Sequence, residues 1–196
     1  TRIRKDAPSD AVDLNAVVRN AVEVTRPKWK DECEARGVCI RVRQEAGPIP
    51  LTSGSASELT QVVSNLIFNA VEAMETGGEI TIATQADGKD IRLTVTDEGA
   101  GMTPEVQQRI FEPFFTTKER GQGLGMSVIY GIVARHRGEI TVRSVEGKGA
   151  TVELRLPVVP PASQETGGNV AERVPRGPAR VLIVDARGLN ADLFDK

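Results

Sequence analysis

Aromatic residues are scarce in this 196-residue chain: one Trp, one Tyr and five Phe, 4% in all. A core must therefore be built from Val, Ile, Leu and Ala. Cysteine is nearly absent. Cys33 and Cys39 are too few for a disulfide scaffold or a metal cage, and they read as reduced core or near-core residues. Basic excess is missing as well, with 25 Lys and Arg against 27 Asp and Glu and a net charge of -2. No basic stripe with interleaved aromatics points to nucleic acid. No apolar run approaches the ~18 residues of a membrane span, and the charged N-terminus is unlike a signal peptide. Neither membrane contact nor nucleic-acid binding is expected, and a cytoplasmic location is the default expectation. Histidine occurs once, as His136.

What is present is a regular alternation of helix and strand signals. Residues 1–12 are polar and read as a linker. From 13 to 36, Leu14, Val17, Val18, Ala21 and Val22 recur at helical spacing. Asp13 suits the N-cap, Pro27 should kink or restart the helix, and Gly37 ends it. Residues 38–43 alternate like a strand. The best helix runs from 55 to 75, with an apolar stripe of Leu59, Val62, Val63, Leu66, Ile67, Ala70 and Met74. Residues 79–84 and 90–96 alternate on either side of Asp87-Gly88, a hairpin signal. A long segment with glycine, proline and phenylalanine follows, to about Gly125. A helix at 124–136 and strands at 139–144 and 150–156 complete the pattern. This order predicts an α+β two-layer sandwich with a mixed, mostly antiparallel sheet and helices on one face. Residues 157–179 are rich in Pro and Gly and read as a flexible linker. Residues 180–196 begin with a buried-strand pattern that has too little chain behind it to complete a domain.

Three clusters can carry chemistry. Glu58, Asn65, Asn69 and Glu72 share one face of the 55–75 helix. Two Asn amides one turn apart can serve a hydrated Mg²⁺, which takes few protein oxygens and several waters. The same stripe also reads as a solvated face, with Glu58 in a capping box with Ser55. Asp97, Gly99 and Gly101 follow a strand. There the Asp can accept from an exocyclic amine and the glycines admit a flat ring; a turn capped by its Asp is the simpler reading. Gly121, Gly123 and Gly125 precede a helix, where backbone N–H groups can hold phosphate. No Lys-Ser/Thr follows, so this is no P-loop, and no parallel βαβ unit makes it a Rossmann fingerprint. Lys118 and Arg120 lie just before these glycines and can meet phosphate charge or simply be solvated. Phe111, Phe114 and Phe115 lie in a predicted loop and suit anchors for a mobile lid. Thr151 points a hydroxyl to one sheet face.

The segments NLIFNAVEAM, DEGAGM, IFEPFFTTK, GQGLGMSVIYGIV and GKGATVEL, in this order, resemble the five boxes of histidine-kinase catalytic domains, within a superfamily that includes DNA gyrase and heat-shock chaperones. The phenylalanine segment and NAVEAM look most like nitrogen-regulation-type sensor kinases. The resemblance covers roughly 13–156. It implies the Bergerat fold with a long ATP lid, and MgATP as substrate. Position by position, it implies Mg²⁺ coordination by Asn69 with help from Asn65, and adenine recognition by Asp97, Gly99 and Gly101 with Thr151. It implies phosphate contact from Lys118, and a phosphate-facing lid end formed by Gly121, Gly123, Leu124 and Gly125. Glu72 stands where some of these kinases carry a phosphate-binding lysine, so it receives no phosphate role. Asn65 stands where the hydrolysing branches carry a glutamate base, which favours phosphoryl transfer over hydrolysis.

The family's phosphoacceptor histidine lies on a preceding dimer-forming hairpin, of which residues 1–12 resemble at most the trailing end. His136, at a helix end, reads as structural. RVLIVDARG resembles the first strand of a receiver domain. The expected partners are the histidine-bearing dimerisation domain and a downstream response regulator, and the chain alone is expected to be a monomer. The alternative is a nucleotide-binding or interaction module, or a serine-kinase relative, without histidine phosphotransfer.

Overall fold

The computed structural model describes residues 10–117, 123–159, 181–184 and 190–191. Asp13 caps the first helix, α1 (Leu14–Arg26), by accepting from the N–H groups of Asn15 and Ala16. Such a cap contributes about 1 kcal/mol. Pro27 opens a π-helical segment (Pro27–Asp31), which passes into the short helix α2 (Glu32–Ala35). The expected kink is thus a change of helical pitch. Cys33 is buried there, whereas Cys39 is exposed, so only the first is a core residue.

The other elements follow the expected order. Strand β1 (Asp10–Val12) precedes α1, and β2 (Ile40–Ala46) and β3 (Thr52–Gly54) precede α3 (Ala56–Ala73). The hairpin β4 (Gly78–Asp87) and β5 (Asp90–Asp97) turns at Gly88-Lys89, with Asp87 opposite Asp90. Next come α4 (Pro104–Arg109), α5 (Gly125–Arg135), β6 (Glu139–Ser144), β7 (Ala150–Pro157), β8 (Val181–Val184) and β9 (Asn190–Ala191). The main sheet has the order β2-β4-β5-β7-β6-β8-β9. Its centre is antiparallel, while β2–β4 and β6–β8 are parallel.

Alternation sorts the two sheet faces. Ile80, Ile82, Ile91, Leu93, Val95, Ile140, Val142, Leu154 and Leu156 are buried under the helices, with Leu59, Val62, Leu66 and Ile67 of α3 and Ile129 of α5 against them. Burying each such side chain contributes about 1.5–3 kcal/mol. The opposite face is polar and carries Arg43, Thr81, Arg92, Thr96, Thr151 and Arg155, with Arg43 bonded to Thr81 and Arg92 paired with Asp87. Two layers with helices on one face are what the sequence pattern predicts.

Three features escape the sequence reading. Residues 10–12, assigned to a linker, pair with Thr52–Gly54 as a small second sheet. The long segment after Asp97 contains α4, capped by Thr103 and opened by Pro104. Val181–Val184, taken as an isolated strand, lies parallel to β6.

Candidate functional site

Helix α3 carries the polar stripe, and α5 runs antiparallel beside it, so the stripe's two ends meet opposite ends of α5. At one end Ser55 caps α3, accepting from the Glu58 N–H at 3.4 Å. The return half of the expected capping box does not form. The Ser55 N–H donates instead to His136 Nε2 at 3.0 Å, while His136 Nδ1 lies 2.9 Å from the Ile132 carbonyl. Neutral imidazole satisfies both contacts only with its proton on Nδ1. The Glu58 carboxylate pairs with Arg135 at 2.8 Å. His136 is 7% exposed. It is a structural residue, as its place at a helix end suggests.

At the other end Asn69 faces the start of α5. Its Nδ2 donates to Met126 Sδ at 3.2 Å, a weak acceptor, and its amide lies within van der Waals reach of a Cβ built on Gly125. Asn65, one turn back, is half-buried on the same face and has no hydrogen bond among the described residues. Helix α5 begins at Gly125 after Leu124, which makes no side-chain capping hydrogen bond. Its first-turn N–H groups receive no cap from Leu124, and the helix dipole favours an anion there.

Asp97 closes β5 and is 9% exposed. Its Oδ1 accepts from the N–H of Gly99 at 2.9 Å and of Ala150 at 3.3 Å. Burial raises its pKa above the ordinary carboxylate range, against the lowering effect of those two N–H donors. Both N–H groups act on one oxygen, leaving Oδ2 without a partner among the described residues. The turn after it is wedged in place. A Cβ on Gly99 would overlap Ala73, and the Ala100 N–H donates to the Ala73 carbonyl at 2.9 Å. Gly101, at φ +66°, has no room for a Cβ against the Val145 carbonyl. These glycines lock the turn between the end of α3 and the β6–β7 connection, a packing role beside the ring-admitting one expected from sequence.

Thr151 lies one residue beyond the Asp97 partner in β7. It registers with Thr96, and their hydroxyls lie 3.0 Å apart. Asp97 registers with Ala150, so Thr151 alternates to the polar face of the sheet, yet both Thr151 and Asp97 line a hollow of about 200 Å³ with Arg143 and Lys148. The Ala150 N–H bonds Asp97 directly, and sequence reasoning missed it. The signal was present: Thr151, Glu153 and Arg155 are the polar members of the alternation in that strand.

Before α5, the Phe114 N–H donates to the Gly123 carbonyl at 2.9 Å. Gly123 is at φ +66°, and Phe114, at φ +67°, is 75% exposed, an uncommon conformation for a non-glycine residue. Phe111 packs on Tyr130, with ring centroids 5.8 Å apart, and Arg109 stacks over Phe115. Phe111 thus anchors this segment to the core, Phe115 packs within the segment, and Phe114 is exposed. Lys118 and Gly121 lie outside the described residues, as does Arg120.

A two-layer domain with an Asn pair on one helix, a buried Asp at a strand end and an uncapped glycine-led helix between them defines a nucleotide-domain architecture. The chain belongs to the family of histidine kinase-, DNA gyrase B- and HSP90-like ATPases, matched over residues 54–160. Within that family it is a catalytic domain of the sensor histidine kinase type. It is 36% identical over 148 residues to the sensor histidine kinase ZraS of Escherichia coli (strain K12), covering 76% of this chain and 31% of that protein. The chain therefore spans about a third of that relative's length. The catalytic domain of histidine kinase ThkA, in a nucleotide-free form, superposes with a TM-score of 0.66 at 25% identity, over 77% of this chain and 96% of that one. Full-length ShkA, crystallised in complex with AMPPNP, superposes with a TM-score of 0.69 at 27% identity, over 81% of this chain and 33% of that one.

Proposed function

We propose that the chain binds MgATP between α3, the Asp97 turn and the start of α5, and presents the γ-phosphoryl group to a histidine on a separate helical-hairpin domain of the same kinase. The observation that carries this reading is Asp97: a buried carboxylate with one oxygen held by two backbone N–H groups and the other unmatched. Such a group suits an exocyclic amine, and adenine supplies one. Gly101 lies beside it for the ring. Asn69, with Asn65, offers amide oxygens to Mg²⁺, and the Asn69 Nδ2 has a thioether as its partner among the described residues. The uncapped first turn after Leu124, with Gly123 and Gly125, faces the phosphates, and Lys118 and Gly121 complete that side. The AMPPNP bound by ShkA is consistent with this assignment.

Catalysis on this domain is positioning and charge neutralisation, because the nucleophile comes from elsewhere. Asn65 cannot serve as a general base for water. His136 has both ring nitrogens engaged and is buried, which makes it unsuited to accept phosphate. In the same reading the catalytic domain, expected over 13–156, takes in β1 and the residues to 159 that bond back onto it, and the chain before Asp10 trails from the histidine-bearing hairpin. The chain beyond 159 links to 180–196, a tail or the start of a receiver domain. A cytoplasmic response regulator receives the phosphoryl group, and the isolated chain is monomeric.

Calorimetry with MgATP and MgGTP tests the Asp97 assignment. Guanine presents a carbonyl where adenine presents the amine, so two acceptors would face each other. The chain should prefer ATP by roughly ten- to hundredfold, the cost of an unmatched buried polar group. Equal affinity for the two nucleotides would refute the assignment.

A further inference from the structure

We propose that Glu72 recognises the ribose of the bound nucleotide, accepting a hydrogen bond from its vicinal hydroxyls, and that Lys28 positions it. The inference rests on the MgATP reading above and deepens it. The order of contacts along α3 supplies the argument. The Asp97 turn rests on Ala73, through the Ala100 N–H and the close approach of Gly99, so the base end of the cleft lies at the C-terminal end of α3. Asn69 lies against the uncapped start of α5, so the phosphate end lies one turn earlier. At about 1.5 Å rise per residue, Ala73 and Asn69 are separated by roughly 6 Å along the axis. The sugar of a nucleotide joins base to phosphate and must pass this interval.

Glu72 occupies the interval. It follows Asn69 by three residues, on the same side of the helix, and is exposed. A carboxylate there repels phosphate but is a strong acceptor for two adjacent hydroxyls, as acidic residues are in dinucleotide sites. Its charge does not stand alone. Glu72 borders a cavity of about 170 Å³ with Lys28 of the π-helical segment, and the Lys28 pKa is raised, first by its hydrogen bond to Glu32 and also by the Glu72 charge. Lys28 Nζ lies 2.9 Å from Glu32 Oε2. The π turn that carries Lys28 is a form of helix often found at functional sites. Lys28 thus limits the repulsion between Glu72 and the neighbouring triphosphate and holds the carboxylate in the gap.

Binding of ATP, 2′-deoxy-ATP and 3′-deoxy-ATP, each with Mg²⁺, is the test, on the whole chain and on Glu72→Ala and Glu72→Gln. The wild type should lose about ten- to hundredfold in affinity with at least one deoxy analogue, the range for a hydrogen bond to a charged acceptor. Glu72→Ala should bind ATP as weakly as that analogue, with its affinity for the analogue unchanged. Glu72→Gln, whose amide oxygen still accepts, should keep part of the discrimination. Lys28→Met should weaken ATP and the analogues alike. Unchanged discrimination in Glu72→Ala, or an equal loss for all three nucleotides, overturns the ribose assignment while leaving the MgATP site standing. Failure of the wild type to bind any of the three overturns the MgATP reading and this inference with it.

Discussion

The two ends of the α3–α5 pair use similar side chains for opposite purposes. At the Ser55 end every polar group is spent on another: Ser55 on the Glu58 N–H, His136 on Ser55 and Ile132, and Glu58 on Arg135. At the Asn69 end polar groups are left over. Asn69 bonds a thioether, the first turn of α5 has no side-chain cap, and Asp97 keeps one carboxylate oxygen unmatched. None of these atoms is sealed in the core, where the unpartnered side-chain atoms among the described residues are Arg92 Nε and Gln107 Oε1, so the second end differs from the first in offering accessible polar groups. Glu58, Asn65, Asn69 and Glu72 look like one functional stripe at helical spacing. The structure divides them: Glu58 pairs with Arg135 at one end of α5, Asn69 meets Met126 at the other, and Glu72 borders a cavity with Lys28.

The contrast predicts that substitutions at the Asn69 end change nucleotide binding with little loss of stability. Asn69→Ala and Asp97→Asn should each lower MgATP affinity roughly ten- to hundredfold by calorimetry. Asp97→Asn should also leave the free protein as stable as the wild type or more so. Its amide oxygen can keep both backbone bonds, and a buried charge is removed. The pH dependence has a definite sign. Burial raises the Asp97 pKa in the folded state above its ordinary value of 3.8. The folded state therefore holds its proton more tightly than the unfolded state. Stability from this group is complete below the ordinary value and is lost as pH rises through the raised one. Thermal melts should show the variant gaining on the wild type across that interval and holding a constant lead above it. A lead that shrinks as pH rises would contradict the desolvation account.

Substitutions at the Ser55 end should show the reverse. His136→Ala leaves the Ser55 N–H without its partner and opens a hole in a buried site. It should cost about 1–3 kcal/mol in a urea melt, while MgATP affinity of the folded fraction stays within a few-fold of the wild type. Stable radiolabel from ATP that is lost on His136→Gln would overturn the structural role assigned to this residue.

Mobility sharpens the same contrast. The segment from about 102 to 125 is long for an internal connection, and Phe114 holds an unfavourable backbone angle at its tie to Gly123. Hydrogen exchange there should slow more with a non-hydrolysable ATP analogue than with ADP. Lys118→Ala should reduce that difference with ADP binding nearly unchanged, since closure needs a differential contact with the γ-phosphate. Identical exchange in the free, ADP and analogue states would remove the lid from the account. The smallest effect belongs to Arg135→Ala. Its pair with Glu58 is largely exposed and screened, and the variant should lose less than about 1 kcal/mol, falling further in salt.

The main helices and the central strands are legible from local periodicity and turn residues, because their apolar faces repeat at 3.6 or 2. Pairing between distant segments is not. Nothing in residues 10–12 signals their match to Thr52–Gly54, and no local pattern makes β2 run parallel to β4. The capping box was misread for the same reason. Ser55 and Glu58 satisfy the motif, but His136, 81 positions away, takes the N–H first. Thr151 is the opposite case, since the alternation of its own strand marks it as facing away from the core. Asp97 was legible as a type and position, but its second backbone donor, Ala150, comes from a strand 53 residues later.

The central claim is that this domain positions MgATP for a histidine it does not itself carry. The most direct measurement adds the separate histidine-bearing hairpin domain in trans to this chain with labelled MgATP. The account predicts phosphate on the hairpin that is stable to base and labile to acid, absent without the chain and lost with Asn69→Ala. Bound nucleotide with no transfer to the hairpin, or label that remains on this chain, would contradict it.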